Sequence, residues 1–152
     1  MKVVILAGGF GTRFSEYTDN IPKPLIPVNG KPILVHIMEH YASYGFKEFI
    51  IALGYKGDAI KNYFLNYSSL QSDLEIEESG QIKILSNKKI DWNIKLIDTG
   101  VNTFTGGRIK RLKKYLDKER FFLTYGDGLS NVNLKMLLNF HKKKKKLITV
   151  TA

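Results

Sequence analysis

Short apolar runs alternate along the chain with stretches whose apolar residues recur at helical spacing. Lys2 to Ala7 reads Lys-Val-Val-Ile-Leu-Ala and is ended by Gly8-Gly9. A run without polar alternation predicts a strand buried on both faces, as in the centre of a parallel sheet. Pro32 stands at a first helical position ahead of Ile33, Leu34, Ile37, Met38, Tyr41 and Tyr44, and Gly45 falls where such a helix stops. Phe49 to Leu53 predicts a second buried strand, stopped by Gly54, and Ile60, Tyr63, Phe64 and Tyr67 mark one face of a helix over Ala59 to Tyr67. Leu74 to Leu85 holds two short β-like runs around Ser79-Gly80, the pattern of a hairpin. Trp92 to Ile97 alternates before Asp98-Thr99-Gly100, Ile109, Leu112 and Leu116 mark a helix, and Phe121 to Tyr125 is an apolar strand halted by Gly126-Asp127-Gly128. Leu134, Leu137, Leu138 and His141 predict a further helix, and Leu147 to Thr151 the start of another strand.

Such alternation of strand and helix predicts an α/β fold, a three-layer sandwich around a mostly parallel central sheet. In that architecture a ligand sits beyond the carboxyl ends of strands. The glycine-containing segments at Gly8, Gly100 and Gly126 are therefore the places where a site is expected. No internal repeat or low-complexity linker divides the 152 residues, which read as one domain. The sequence ends inside a predicted strand at Ala152, so residues 1–152 are expected to be the N-terminal part of a longer chain.

Composition adds limits. There is no cysteine, which excludes a disulfide scaffold and thiolate-bound zinc or iron–sulfur centres. No run of about 18 apolar residues exists to cross a membrane, and Val3 to Ala7 is too short and wrongly flanked for a secretory signal. The expected compartment is the cytoplasm, with no membrane partner. Lys and Arg number 24 against 14 Asp and Glu, giving a formal charge of +10. Half of that excess lies in the unbroken run Lys142 to Lys146, and Arg108, Lys110, Arg111, Lys113 and Lys114 fall on one predicted helix. A basic nucleic-acid-binding module without catalysis is thus the rival class of function, resting on charge alone. No nucleic-acid motif accompanies that charge, and the tyrosines fall at core spacing, so no nucleic acid is expected as a partner.

The candidate chemistry follows the first strand. Leu6-Ala7-Gly8-Gly9-Phe10-Gly11-Thr12-Arg13 can bring backbone N–H groups close to a phosphate, because backbone without Cβ atoms permits close approach. Phe14 at the third glycine position excludes a dinucleotide fingerprint, and no Gly-Lys-Ser/Thr follows to make a Walker loop. Pro22-Lys23-Pro24 adds a second cation whose placement two prolines restrict. Asp127, between two glycines at a strand end, is ordinary turn chemistry when taken alone.

In combination these segments resemble the sugar-1-phosphate nucleotidylyltransferases, which join a nucleoside triphosphate to a sugar 1-phosphate and release pyrophosphate. Lys31-Pro32-Ile33-Leu34, Gly54-Tyr55-Lys56-Gly57, Trp92-Asn93, Leu96 to Gly100, Thr105 to Arg111 and Thr124 to Gly128 narrow the resemblance to the branch that makes CDP-glucose from CTP and glucose 1-phosphate. It covers essentially the whole chain. The resemblance implies a Rossmann-like fold, with Leu6, Ala7, Gly8, Gly9, Phe10, Gly11, Thr12 and Arg13 wrapping the nucleotide. It places Arg13 and Lys23 on the phosphates as catalytic cations and Asp127 as a catalytic ligand of Mg²⁺. Thr103, Arg108 and Gly126 fall in its nucleotide-contacting segments. Such chemistry needs positioning and charge neutralisation more than a covalent nucleophile.

Family members continue well beyond this length, and there the resemblance puts the second metal-binding aspartate and most of the sugar-phosphate site. Residues 1–152 alone are accordingly expected to turn over poorly. UTP or dTTP in place of CTP stays open, because the glycine loop is shared across these enzymes. Homo-oligomers are common in the family. Asp98-Thr99-Gly100 also occurs in aspartic proteases of the retroviral kind, which need an all-β dimer, whereas helices are predicted on both sides here. Asp98 is expected to shape a turn near the active site. His36 and His40 have the spacing of a metal pair without a third ligand nearby, and are expected to be packed or surface residues.

Overall fold

A computed structural model describes residues 1–10, 21–85 and 91–151. The central sheet is four parallel strands in the order β7-β4-β1-β8: β1 (Lys2–Leu6), β4 (Glu48–Leu53), β7 (Asn93–Asp98) and β8 (Phe122–Tyr125). Val3 pairs with Phe49 on one side and Phe122 on the other, so β1 is interior. This is why its sequence lacks polar alternation, since neither face meets water.

Alternation along β1 divides the core. Val3, Ile5 and Ala7 face Leu34, Ile37 and Met38 of α1 (Ile33–Ser43), Ile60 of α2 (Gly57–Leu65) and Leu134 of α5 (Leu134–Lys144). Val4 and Leu6 face the opposite way, against Leu112 and Leu116 beside α4 (Thr105–Arg111) and the 3₁₀ turn Lys113–Tyr115. The three-layer sandwich follows from a period of two in the strand.

The chain runs from β1 to β4 to β7 in one direction and returns to place β8 on the far side of β1. Right-handed crossovers running in opposite directions put their helices on opposite faces, which accounts for α1 and α4 lying on different layers. The reversal makes a switch point between β1 and β8, and the crevice beyond their carboxyl ends is where such sheets bind ligands.

Two small ribbons flank the sheet. β2 (Pro27–Val28) and β3 (Lys31–Pro32) are joined by Asn29-Gly30, both with positive φ. An Asn-Gly pair of this kind is a strong hairpin signal that apolar periodicity alone does not register. β5 (Leu74–Ile76) and β6 (Ile82–Ile84) form the expected hairpin, with Ile76 opposite Ile82. The helix expected over Ala59 to Tyr67 is divided at Asn66 into α2 and the short α3 (Tyr67–Leu70). Pro32 lies one residue earlier than its expected helical position, with extended ψ of 139°, and Gly45 follows α1 at φ +87°.

The strand expected over Leu147 to Thr151 does not form. Leu147, Ile148 and Val150 are exposed, and Thr149 Oγ1 lies 2.8 Å from His141 Nδ1 of α5. β-Branched residues favour a strand only where a ladder partner exists, and among the described residues none pairs with this segment. No helix among the described residues is long and apolar enough to cross a membrane.

Candidate active site

The carboxyl ends of β1 and β8 open into a cleft of about 750 Å³, a size typical of small-molecule sites. One wall is Leu6 to Phe10, the second Val101 to Thr105 and the third Tyr125 to Asp127, with Lys23 and Pro24 at the edge. The three glycine-bearing segments singled out in the sequence thus border a common space.

The β1 end is tied to its neighbours through the backbone. Ala7 N–H donates to Ala52 O at 3.0 Å, Tyr55 N–H to Gly8 O at 3.2 Å and Gly126 N–H to Leu6 O at 2.9 Å. Gly126 is tightly enclosed: a methyl group there would stand 3.2 Å from both Leu6 O and Pro24 Cγ. Gly9 and Phe10 are exposed, and the Phe10 ring packs on Tyr55 with centroids 5.3 Å apart. Gly11, Thr12 and Arg13 lie outside the described residues.

Lys23 begins the 3₁₀ turn Lys23–Leu25, anchored by buried Pro24. Its ammonium reaches across the cleft mouth to Asp127, with Nζ 2.5 Å from Oδ2. The two side chains are 29% and 33% exposed, so both remain accessible from the cleft. Asp127 follows directly on β8 and the enclosed Gly126, which fixes where its carboxylate begins. Among the described residues no cluster of three His, Cys, Asp or Glu side chains surrounds it. Mg²⁺ commonly uses one or two carboxylates and completes its shell with phosphate oxygens and water, so a lone aspartate here fits a site that the substrate completes.

Thr103 and Arg108 are also at the cleft, but differently disposed. Thr103 is half-buried, and its hydroxyl accepts from Arg111 Nη1 at 2.7 Å. Arg108 is only 5% exposed yet is among the residues lining the cleft, its guanidinium hydrogen-bonded to protein oxygens. The cationic helix face expected over Arg108 to Lys114 is therefore divided. Arg108 is buried, whereas Lys110, Arg111, Lys113 and Lys114 are exposed, Arg111 bonding back to Thr99 O and Thr103 Oγ1, and the helix itself ends at Arg111. Burial is the main cause, with neighbouring Arg111, that lowers the Arg108 pKa from the ordinary guanidinium value, while Asp98 opposes the shift.

Asp98 does shape a turn: its Oδ1 accepts from Gly100 N–H at 2.7 Å. His36 and His40 are packing residues, with Nε2 atoms 2.9 Å from Val28 O and 3.1 Å from Val132 O. Sequence reasoning missed Thr99, Gly54 and Arg111 as parts of the site's support. Thr99 is fully buried and its hydroxyl donates to Leu53 O at 2.6 Å. The signal available was the position of Asp98-Thr99-Gly100 at a strand end, which indicates a turn without revealing what its threonine holds.

A family model described as nucleotidyl transferase matches residues 2–152. A probable glucose-1-phosphate cytidylyltransferase of Bacillus subtilis strain 168 is 51% identical over 99% of this chain and 59% of its own length. The glucose-1-phosphate cytidylyltransferase of Salmonella typhimurium strain LT2 is 47% identical over 100% of this chain and 60% of its own. Among solved structures, HddC from Yersinia pseudotuberculosis complexed with GMP-PN superimposes with a TM-score of 0.66 at 27% identity, covering 92% of this chain and 53% of that one. The chain thus spans about 60% of the length of these curated relatives.

Proposed function

The chain belongs to the nucleotidyl transferase family, and from that premise we propose that it supplies the nucleotide-binding part of an enzyme transferring CMP from CTP to glucose 1-phosphate. The products are CDP-glucose and pyrophosphate. One observation carries the reading: Gly8 to Phe10, Lys23 and Asp127 converge on one cleft at the sheet's switch point. CTP and glucose 1-phosphate are supported by what the relatives at 51% and 47% identity are named for.

In the proposed reaction a phosphate oxygen of glucose 1-phosphate attacks the α-phosphorus of CTP. A new P–O bond forms, the α–β bridging bond breaks, and the electron pair leaves with pyrophosphate. No covalent enzyme intermediate is required, so the protein's work is to align the phosphates and balance their charge. Leu6 to Phe10 and Gly126 approach the nucleotide through backbone, and Thr103 presents a hydroxyl already oriented by Arg111. Lys23 neutralises phosphate charge near the reacting centre, and the resemblance assigns Arg13 the same task on the departing pyrophosphate. When bound, Mg²⁺ would be held by Asp127 and phosphate oxygens and would supply further charge neutralisation. Arrival of the triphosphate gives Lys23 and Asp127 separate partners in place of each other.

The test is CDP-glucose formation from CTP, glucose 1-phosphate and Mg²⁺ by the complete natural chain, with UTP, dTTP and GTP as competitors. Product from CTP, abolished in Lys23→Ala and Asp127→Ala, is expected. Faster product formation from another nucleotide would overturn the CTP assignment, and unchanged activity in either variant would remove that residue from the mechanism.

A further inference from the structure

The ribbon of β5 and β6 stands apart from the cleft and from both halves of the core. Cross-strand partners share a face, so Leu74 with Ile84 and Ile76 with Ile82 form one apolar side. The Glu75 and Lys83 pair forms the other, where Lys83 also bridges to Glu77. Neither strand joins the central sheet, and among the described residues no core cluster reaches the apolar side. Ile76 is 71% exposed and Ile82 61%. Backbone bonds close both ends of the ribbon, Leu85 N–H donating to Asp73 O at 2.8 Å and Glu77 N–H to Gln81 O at 3.0 Å. Even so, a two-stranded ribbon is marginal in water unless its apolar side packs on something.

Charge decides what kind of surface fits it. Residues 73–85 hold four acids, Asp73, Glu75, Glu77 and Glu78, against the one base Lys83, in a chain whose formal charge is +10. DNA or an anionic membrane is therefore repelled. The fitting surface is apolar and rimmed by cations, and this chain presents one. On the outer side of α5, Met136 and Phe140 are exposed one helical turn apart, with exposed Lys135, Lys143 and Lys144 around them. Both patches are exposed, so within one chain they do not cover each other. α5 follows β8 at one edge of the sheet, whereas the ribbon lies between α3 and β7, the strand at the other edge.

We propose that the apolar side of the ribbon docks on the outer face of α5 in a second copy of this chain. Such a contact joins two different surfaces, so each assembly keeps one of each free until a ring closes. Burial of Leu74, Ile76, Ile82 and Ile84 drives the association, and the acidic and basic rims set its register and exclude wrong partners.

The test is sedimentation velocity of the complete natural chain, with amide exchange read alongside. The wild type is expected to associate beyond a monomer at micromolar concentration, and residues 74–84 and 138–144 to exchange more slowly than on dilution to monomer. Ile76→Thr with Ile82→Thr, and separately Phe140→Ser, should each weaken association about tenfold or more. These positions are exposed in the single chain, so exchange at Val3 to Ile5 should stay as in the wild type. Lys143→Glu with Lys144→Glu should also weaken association, and adding Glu75→Lys with Glu78→Lys should restore it. A monomeric wild type would overturn the proposal, whether its ribbon amides are protected by further residues of the same chain or exchange freely. An oligomer indifferent to the ribbon variants would overturn it as well, and one that responds to them but not to Phe140→Ser would remove α5 as the seat.

Discussion

The cations at the cleft and the lysines at the end of α5 look alike in the sequence and are opposite in the fold. Lys142 to Lys146 are all exposed and carry half of the +10 charge, the Lys144 ammonium lying 5.4 Å from the centroid of the exposed Phe140 ring. Arg108 is 5% exposed and has exchanged water for five protein acceptors. Lys23 stands between these extremes, part-buried against Asp127. Burial of a charge is costly unless oriented dipoles replace the lost solvent. The ends of parallel strands provide such dipoles, whereas a helix end in solvent needs none. A count of basic residues therefore says little about where a cation acts.

The comparison can be broken first at Lys23. Lys23→Met is expected to lower CDP-glucose formation by about 10²–10³-fold, the usual effect of removing one charge-stabilising donor, as read by steady-state product release. Arg108→Met comes next. It leaves buried carbonyl oxygens without donors, at about 1–3 kcal/mol for such a group, and denaturant unfolding should show a loss of at least about 2 kcal/mol. Gly126→Ala should be milder, because the added methyl meets Leu6 O and Pro24 at 3.2 Å and neighbours must yield. About 1 kcal/mol of stability and a severalfold weaker CTP affinity are expected, by thermal unfolding and titration. The smallest effect belongs to the lysine block. Replacing Lys142 to Lys146 with glutamine should leave stability within about 0.5 kcal/mol and CTP affinity unchanged at physiological salt. A large loss of CTP affinity in that variant would reverse the contrast between the two regions, and DNA binding that survives moderate salt would support the nucleic-acid alternative.

Much of the scaffold was legible because its signals are local. An unbroken apolar run identified β1 as interior, helical spacing identified the residues of α1 that meet it, and Gly45 and Gly80 stood where turns formed. The Leu147 to Thr151 segment was misread because a strand depends on a partner that local pattern does not contain. The site divides in the same way. Gly8, Gly126 and Asp127 were legible as loop chemistry at strand ends, and Lys23 as a cation held between two prolines. The resemblance named Arg108 for the nucleotide, but its burial was not legible, since a buried arginine and a solvated one are the same letter on an amphipathic stretch. Its role depends on Gly8, Leu53 and Gly100 meeting in space, a relation that only the sheet order creates.

The most direct test of the nucleotide site is the footprint of CTP with Mg²⁺ on amide exchange across the complete natural chain. Protection is expected at Gly8 to Phe10, Val101 to Thr105 and Gly126 to Asp127, with Lys142 to Lys146 unchanged. Protection centred on the lysine block, with the cleft segments exchanging as in the free protein, would contradict the account.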